Sequence, residues 1–296
     1  NRVKDMVAVV TGATSGIGRE VARLLAEQGM RVLGIGRSPD RCRQAGQELR
    51  NAEGRSSVEL LPADLSSREE IQRLAAEIKA RTARVDILVN NAGVFTFTRK
   101  ETVDGLETQL AVNWLSAFLL TGLLAEPLRR AGGARVVNLS SGSHFAGRMY
   151  WEDLGLSKRY RGLQAYCQSK LAMVLFTAEL DRRFHGQQMP AAYAVDPGLV
   201  KTDIAAKGTN ALVRLAWKIR TRNGIPARQA AESVAWCASS PDARGMGGLY
   251  WKDRSPRVPS KEALDPASAR RLWETGECLS GVRYAGAAAS VHAAHA

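Results

Sequence analysis

Residues 10–20 read VTGATSGIGRE. Three glycines, Gly12, Gly16 and Gly18, follow directly on Met6-Val7-Ala8-Val9-Val10, a run of small apolar residues that reads as a buried strand. After them, Glu20 to Glu27 carries apolar residues at helical spacing and closes at Gly29, a C-cap. Such a turn lets the backbone bend tightly, and the helix start offers free N–H groups and a positive dipole end to a phosphate. An ordinary glycine-rich connection would look the same, so the rest of the chain has to decide.

The composition is that of a soluble globular protein. Of 296 residues, 45% are hydrophobic and 24% charged, enough for one large α/β core or two smaller ones. Cys42, Cys167, Cys237 and Cys278 are scattered, with no CxxC and no histidine at ligand spacing. No metal site or disulfide framework is expected, and the pattern fits a reducing, cytoplasmic compartment. The net charge of +13 could attract an anionic partner, yet the arginines are spread along the chain in runs no longer than a pair, so nucleic acid is not an expected partner. The longest apolar stretch, Leu110 to Ala125, includes Asn113 and reads as a core helix rather than a membrane span. No signal peptide is visible. The sequence starts without Met, which leaves open an N-terminal membrane anchor ahead of it.

Strand-like runs at 6–11, 31–35, 57–61, 85–90, 135–140, 190–195 and 247–251 alternate with helical segments at 17–28, 40–52, 67–82, 103–130, 164–185 and 227–239. Strict alternation implies an α/β fold, a doubly wound parallel sheet covered by helices on both faces. Right-handed crossovers then put ligands at the strand C-termini, where the strand order reverses. With no linker and no repeat, residues 1–282 read as a single domain, and 283–296 as a disordered tail with little to pack.

Tyr166 and Lys170, in the stretch YCQSK, lie four residues apart on the helix expected over 164–185, so they share a face. A phenol is a poor acid–base group at neutral pH, and a nearby ammonium would lower its pKa toward the working range. Together with Thr11-Gly12 to Gly18, Asp64-Leu65, Asn90-Asn91-Ala92-Gly93, Asn113, Ser140-Ser141 and Pro197-Gly198, in this order, the chain resembles the short-chain dehydrogenase/reductase family over roughly residues 3 to 255. The fold implied is a Rossmann-type sheet. The catalytic residues implied are Asn113, Ser141, Tyr166 and Lys170, with Ser141 preferred to Ser140 as the hydroxyl that holds the substrate oxygen. The resemblance implies that Asn113 shapes a helix kink and supports a proton relay, and that Lys170 also holds the cofactor ribose. Ser141 precedes Tyr166 by 25 residues, about twice the gap of many members, a departure that resembles the retinol-dehydrogenase-like branch.

For the cofactor, the resemblance assigns Gly12, Ser15, Gly16, Ile17 and Gly18 to the phosphates and Asp64, with its neighbour Leu65, to the adenine. It assigns Asn91, Ala92 and Gly93 to the adenosine ribose, and Pro197, Gly198, Val200 and Thr202 to the carboxamide and pyrophosphate. NAD-preferring members carry an acid at the end of the second strand. Here Gly36 stands in that place and Arg37 follows, with a guanidinium suited to a 2′-phosphate, so NADP(H) is the expected cofactor.

The segment 199–226 corresponds to the family's substrate lid, and its Leu212, Leu215, Trp217 and Ile219 alternate with basic residues. With Phe145, Tyr150, Trp151 and Tyr160 from the longer insert, an apolar pocket for a lipid-like or aromatic carbonyl or alcohol is expected. The reading is an NADP-dependent oxidoreductase. Its rivals are a non-catalytic NADP-binding regulator, which the intact Ser141, Tyr166 and Lys170 weigh against, and a peripheral membrane enzyme of the same chemistry. Family members often form homodimers through the helices placed here at 103–130 and 164–185.

Overall fold

The short apolar runs become strands with no exposed position: Val7–Thr11 (β1), Ile87–Asn90 (β4) and Arg135–Leu139 (β5) are buried throughout. Burial on both faces is what a parallel sheet between two helical layers requires. The computed structural model describes residues 2–53, 58–184, 190–200 and 224–284. Its eight-stranded sheet also contains Arg31–Gly36 (β2), Val58–Pro62 (β3), Ala191–Asp196 (β6), Tyr250–Lys252 (β7) and Ser255–Arg257 (β8). The order is β3-β2-β1-β4-β5-β6-β7-β8, parallel except for the β7–β8 hairpin. The order reverses between β1 and β4, which pair with Ala8 opposite Ile87 and Val10 opposite Val89. A crevice at this switch point is the usual ligand site of such sheets.

Helices Gly16–Glu27 (α1), Pro39–Glu53 (α2), Arg68–Arg81 (α3), Thr108–Leu110 (α4), Ser116–Leu123 (α5), Ala125–Arg130 (α6), Gly162–Phe184 (α7), Ala227–Ser239 (α8) and Pro266–Ser280 (α9) cover the sheet. One core joins α1 and α8 through Val21, Leu25, Val234 and Trp251. The other gathers Trp114, Phe118, Phe176, Leu180 and Trp273 from α5, α7, α9 and the turn before α5.

The helix expected over 103–130 is interrupted. It starts only at Thr108, where the Glu107 carboxylate accepts the N–H groups of Gln109 and Leu110 at 2.9 and 2.7 Å. Ala111–Leu115 then makes a π-helical turn, with the Ser116 N–H reaching back to the Ala111 carbonyl, and the helix breaks again at Leu124. A π turn inserts one residue into the helical repeat and re-aims the side chains within it, here Asn113.

The C-terminal part holds more structure than the sequence reading allowed. Strand β8 and helix α9 were not expected. Asp265 caps α9 by accepting from Ala267 and Ser268, Pro266 occupies its first turn, and Gly281 closes it at φ 72°. Helix α9 packs on α5 and α7, with Gly276 against the Phe118 ring. The two helices expected to pair between chains thus carry the chain's own α9. Nor does packing stop at Val282: Tyr284 is buried among Phe118, Phe184 and Trp273, and its hydroxyl donates to the Phe118 carbonyl at 2.5 Å. The remaining residues of the expected tail, 285–296, lie outside those described. Replacing Tyr284 with Ala should therefore lower the unfolding free energy by about 3–5 kcal/mol, as for other buried aromatic truncations, measured by urea denaturation.

Candidate active site

The turn between β1 and α1 is held from beneath. Asn91 Nδ2 donates to the carbonyls of Thr11 and Gly12 at 2.7 and 3.4 Å, while Thr11 Oγ1 accepts the N–H groups of Asn91 and Ala92 at 3.0 Å each. A Cβ on Gly18 would overlap that amide and the Gly12 carbonyl, and one on Gly12 (φ 71°) would stand 2.7 Å from the amide. Gly16 is also left-handed, at φ 58°. Ser15 precedes the helix in an extended conformation, exposed, and its side chain caps nothing. With no acid in its first turn, α1 presents its N-terminal N–H groups, with Ile17 half-buried beside them, as an anion site suited to a dinucleotide pyrophosphate.

At the neighbouring strand ends, Gly36 is closed to any side chain. A Cβ there would overlap Thr14 Cγ2 and lie 2.9 Å from Cys42 Sγ. The acid that selects NAD has no room at that position, whereas Arg37 beside it is exposed. Asp64 Oδ1 accepts from the Ser66 N–H and hydroxyl at 2.9 and 2.8 Å, fixing the carboxylate after β3, and Leu65 turns into the core. Asn91 spends its amide on the glycine turn, so it shapes the cradle rather than reaching out of it. Ala92 and Gly93 are half-buried along the same edge, with a Cβ on Gly93 falling 3.7 Å from Lys170 Nζ. On the far side Gly198, at φ 79°, donates its N–H to Asp196 Oδ1 at 2.9 Å after Pro197. Val200 is buried and bridges Ile225, so the two ends of the expected lid meet. Thr202, and with it Leu212, Leu215, Trp217 and Ile219, lies outside the described residues.

The structure brings the four expected catalytic residues together around the end of β5, the π turn at Ala111–Leu115 and the first turns of α7. Tyr166 is partly exposed, its ring edge-on to buried Phe95 at 5.5 Å, and the Ser141 hydroxyl stands close enough to its phenol to lower the phenol's pKa. Ser140 faces inward, buried, and donates to the Lys170 carbonyl at 2.9 Å. Of the two serines, Ser141 therefore faces the phenol. Lys170 is buried, with Nζ 5.7 Å from the Tyr166 ring centroid and donating to the Leu139 carbonyl at 2.9 Å. Asn113 is saturated: Oδ1 accepts the Val94 N–H at 2.7 Å, and Nδ2 donates to the Val94 carbonyl at 3.0 Å and to Ser169 Oγ at 2.9 Å.

The electrostatics depart from the expected pattern. Burial pushes the Tyr166 phenol up to about 12, offset in part by the Ser141 hydrogen bond. Lys170 is pushed down to about 8, again by burial, with Asp196 opposing. Desolvation outweighs the expected lowering of the phenol because the ammonium bonds a backbone carbonyl instead of the phenol oxygen.

Asp196, His144 and Ser169 also belong to the site and were missed from sequence. Asp196 stands immediately before Pro197, and the Tyr250 hydroxyl donates to its Oδ2 at 2.9 Å. The insert aromatics behave unlike an apolar pocket. Trp151 packs on the core under Arg271, and the Tyr160 hydroxyl joins Glu107, Gln109 and Thr96. Tyr150 lines a groove of about 350 Å³ whose other walls include Asp153, Lys158, Arg159 and Arg161. Phe145, Phe97 and Leu163 are the exposed apolar side chains in this region. Among the described residues there is no group of three or more metal-ligating side chains, and no helix is long and apolar enough to cross a membrane.

The family model for short chain dehydrogenase matches residues 6–212. The chain belongs to that family. Retinol dehydrogenase 12 of Homo sapiens is 38% identical over 278 residues, covering 94% of this chain and 87% of its own, and the chain falls in the retinol-dehydrogenase-like branch. A solved structure of an uncharacterised protein from Mycobacterium paratuberculosis shares 31% identity at a TM-score of 0.76, covering 94% of both chains. A Beutenbergia cavernae protein described as an NAD(P)-dependent gluconate 5-dehydrogenase, solved with bound NADP, is 29% identical at a TM-score of 0.66, covering 83% of this chain and 94% of its own.

The short-chain dehydrogenase site carries a buried charge whose cost can be measured. With the folded-state pKa of Lys170 lowered to about 8 from 10.5, the unfolded chain binds more protons between those values, so stability rises with pH across that window and the penalty is full below it. Lys170→Met should then raise the unfolding free energy at pH 7 by about 2 kcal/mol. That is a desolvation gain of about 3 less about 1 for the lost Leu139 bond. The gain should shrink from pH 8 to 10.5, followed by denaturant unfolding at each pH.

Proposed function

We propose that this short-chain dehydrogenase interconverts a carbonyl and an alcohol on an apolar, lipid-like or aromatic substrate, with Tyr166 as proton donor and acceptor. The observation that carries the reading is the Tyr166 ring 5.7 Å from the Lys170 ammonium, with the Ser141 hydroxyl acting on its phenol and Asn113 tied to the same helix through Ser169. The family makes the chain an oxidoreductase of CH–OH and C=O groups. Its cofactor is NADP(H), which the closed position at Gly36 and the exposed Arg37 support on this chain. When bound, the cofactor supplies or accepts the hydride at the carbonyl carbon.

The residues divide the remaining work. Ser141 donates to the substrate oxygen and holds it beside the phenol. Tyr166 passes its proton to that oxygen as charge develops there. Lys170 would hold the ribose hydroxyls of the bound cofactor, and its ammonium would supply positive charge near the phenolate left behind. Asn113 holds the Val94 backbone and Ser169, and so keeps that wall fixed. A phenol near 12 stays protonated at neutral pH, which suits reduction, whereas oxidation must first remove that proton. Buried Phe95 and exposed Phe97 stack edge-on at 4.7 Å and give the substrate side an apolar wall reaching Tyr166. The name of the retinol relative supports an apolar alcohol or aldehyde of that kind.

Two measurements test this. Tyr166→Phe should cut NADPH oxidation with retinal by about 10²–10⁴-fold while NADPH affinity stays within a few-fold, since the ring remains and only the proton donor is lost. Activity within about tenfold of wild type would remove Tyr166 from the chemistry. Arg37→Ala should weaken NADPH binding by about ten- to a hundredfold and leave NADH binding nearly unchanged, read by fluorescence titration. Equal losses would mean that another group reads the 2′-phosphate.

A further inference from the structure

Behind Ser141 lies a histidine whose two ring nitrogens are both committed. His144 is fully buried in the short 3₁₀ turn Gly142–Ala146. Its Nε2 is 3.1 Å from the Ser260 backbone nitrogen, which can only donate, so Nε2 is the acceptor. The neutral ring then carries its proton on Nδ1, 2.8 Å from the Ser141 carbonyl oxygen, and donates to it. Burial lowers the His144 pKa and keeps the ring neutral. The ring is wedged between Phe145 and Tyr250, with centroids 4.1 and 4.6 Å away, and Tyr250 is itself held by Asp196.

The Ser141 carbonyl thus receives two donors, the His144 backbone N–H at 3.0 Å and Nδ1–H at 2.8 Å. Its hydroxyl accepts from the Ser143 N–H at 3.2 Å, lies 3.3 Å from the Ser143 hydroxyl, and is near enough to Tyr166 to act on the phenol. Rotating the Ser141 peptide would swing the hydroxyl away from the phenol, and the imidazole opposes that rotation. We infer that His144 is a positioning residue: it fixes the direction of the Ser141 hydroxyl and is itself anchored by Ser260 on the segment leading into α9. This rests on the reading of Ser141 given above and extends it to a residue that touches neither substrate nor cofactor.

The test is a double-mutant cycle with NADPH and retinal. His144→Phe fills the space without either hydrogen bond and should lower kcat by about ten- to a hundredfold, the scale on which small misplacements act, with NADPH affinity unchanged. In a Ser141→Ala background the same change should cost nothing further, because its effect passes through the missing hydroxyl. His144→Asn, whose amide N–H falls near Nδ1, should restore most of kcat. His144→Gln, whose amide reaches toward Ser260 instead, should not.

Full kcat in His144→Phe, or the same loss in both backgrounds, would overturn the inference. Should the Phe variant not fold, or Ser141→Ala fall below detection, the Asn and Gln variants decide alone: Asn active and Gln impaired supports it, equal activities overturn it. A Ser141→Ala protein that turns over like wild type would instead defeat the reading of Ser141 itself.

Discussion

Where the backbone ladder between β1 and β4 ends, one side-chain amide holds the two halves of the sheet together. Asn91, just past β4, ties itself to the carbonyls of Thr11 and Gly12 at the end of β1, and Thr11 answers by accepting two N–H groups from the same loop. These strands are neighbours whose connections leave in opposite directions, so no helix crosses between their C-termini. The crevice stays open only if the loops bounding it are fixed in another way. Close approach does this: Gly12 and Gly18 leave the space the amide fills, and α1 begins with its N–H groups aimed outward. The cradle for a phosphate is thus a packing result as much as an electrostatic one.

A second constraint is that the site must hold a lysine out of water. Its ammonium is placed against a backbone carbonyl of β5, with Asp196 supplying compensating charge. Such a group costs stability, and groups of this kind persist where function uses them. The π turn at Ala111–Leu115 belongs to the same economy. It lets Asn113 satisfy both Val94 backbone groups and Ser169 at once, so the wall beside the lysine has no loose polar group there.

Most of the sheet could be read from the chain because its parallel strands are short, largely apolar runs between turn residues. All seven expected strands appear within a few residues of their places. The fourth helical segment misled for a reason visible in hindsight. Periodicity cannot register an inserted residue, so 103–130 looked continuous although Glu107 caps a helix that starts at Thr108 and Asn113 sits in a π turn. The sequence did carry a signal for α9: Asp265-Pro266 is a capped start, and Gly281 is a stop. Tyr284 was hidden because a single aromatic before an alanine-rich stretch gives no periodic cue, and only the tertiary cluster around Phe118 explains it. In the site, the motif residues were legible, whereas His144 and Asp196 were not. Their role depends on hydrogen bonds to backbone groups of distant segments, which no spacing encodes.

The long insert between Ser141 and Tyr166 is the feature that separates this chain from shorter members of its family, and its contacts say what it does. Gln168 on α7 accepts the Tyr150 N–H at 2.9 Å and donates to the Leu154 carbonyl at 2.8 Å, while the Tyr160 hydroxyl donates to Glu107 and accepts from the Gln109 amide. Gly162 then passes so near Thr96 and Phe97 that no Cβ fits. Each anchor falls on an element that also carries a site residue or its immediate neighbour: α7 carries Tyr166, and Phe97 packs on Phe95, which packs on Tyr166. Leu163 and Phe145 remain as the insert's exposed large apolar side chains, with exposed Phe97 beside Gly162 on the loop it approaches. A longer loop between serine and tyrosine would ordinarily loosen their mutual placement. Here it is pinned along its length, so the added residues give the two hydroxyls no freedom to drift apart.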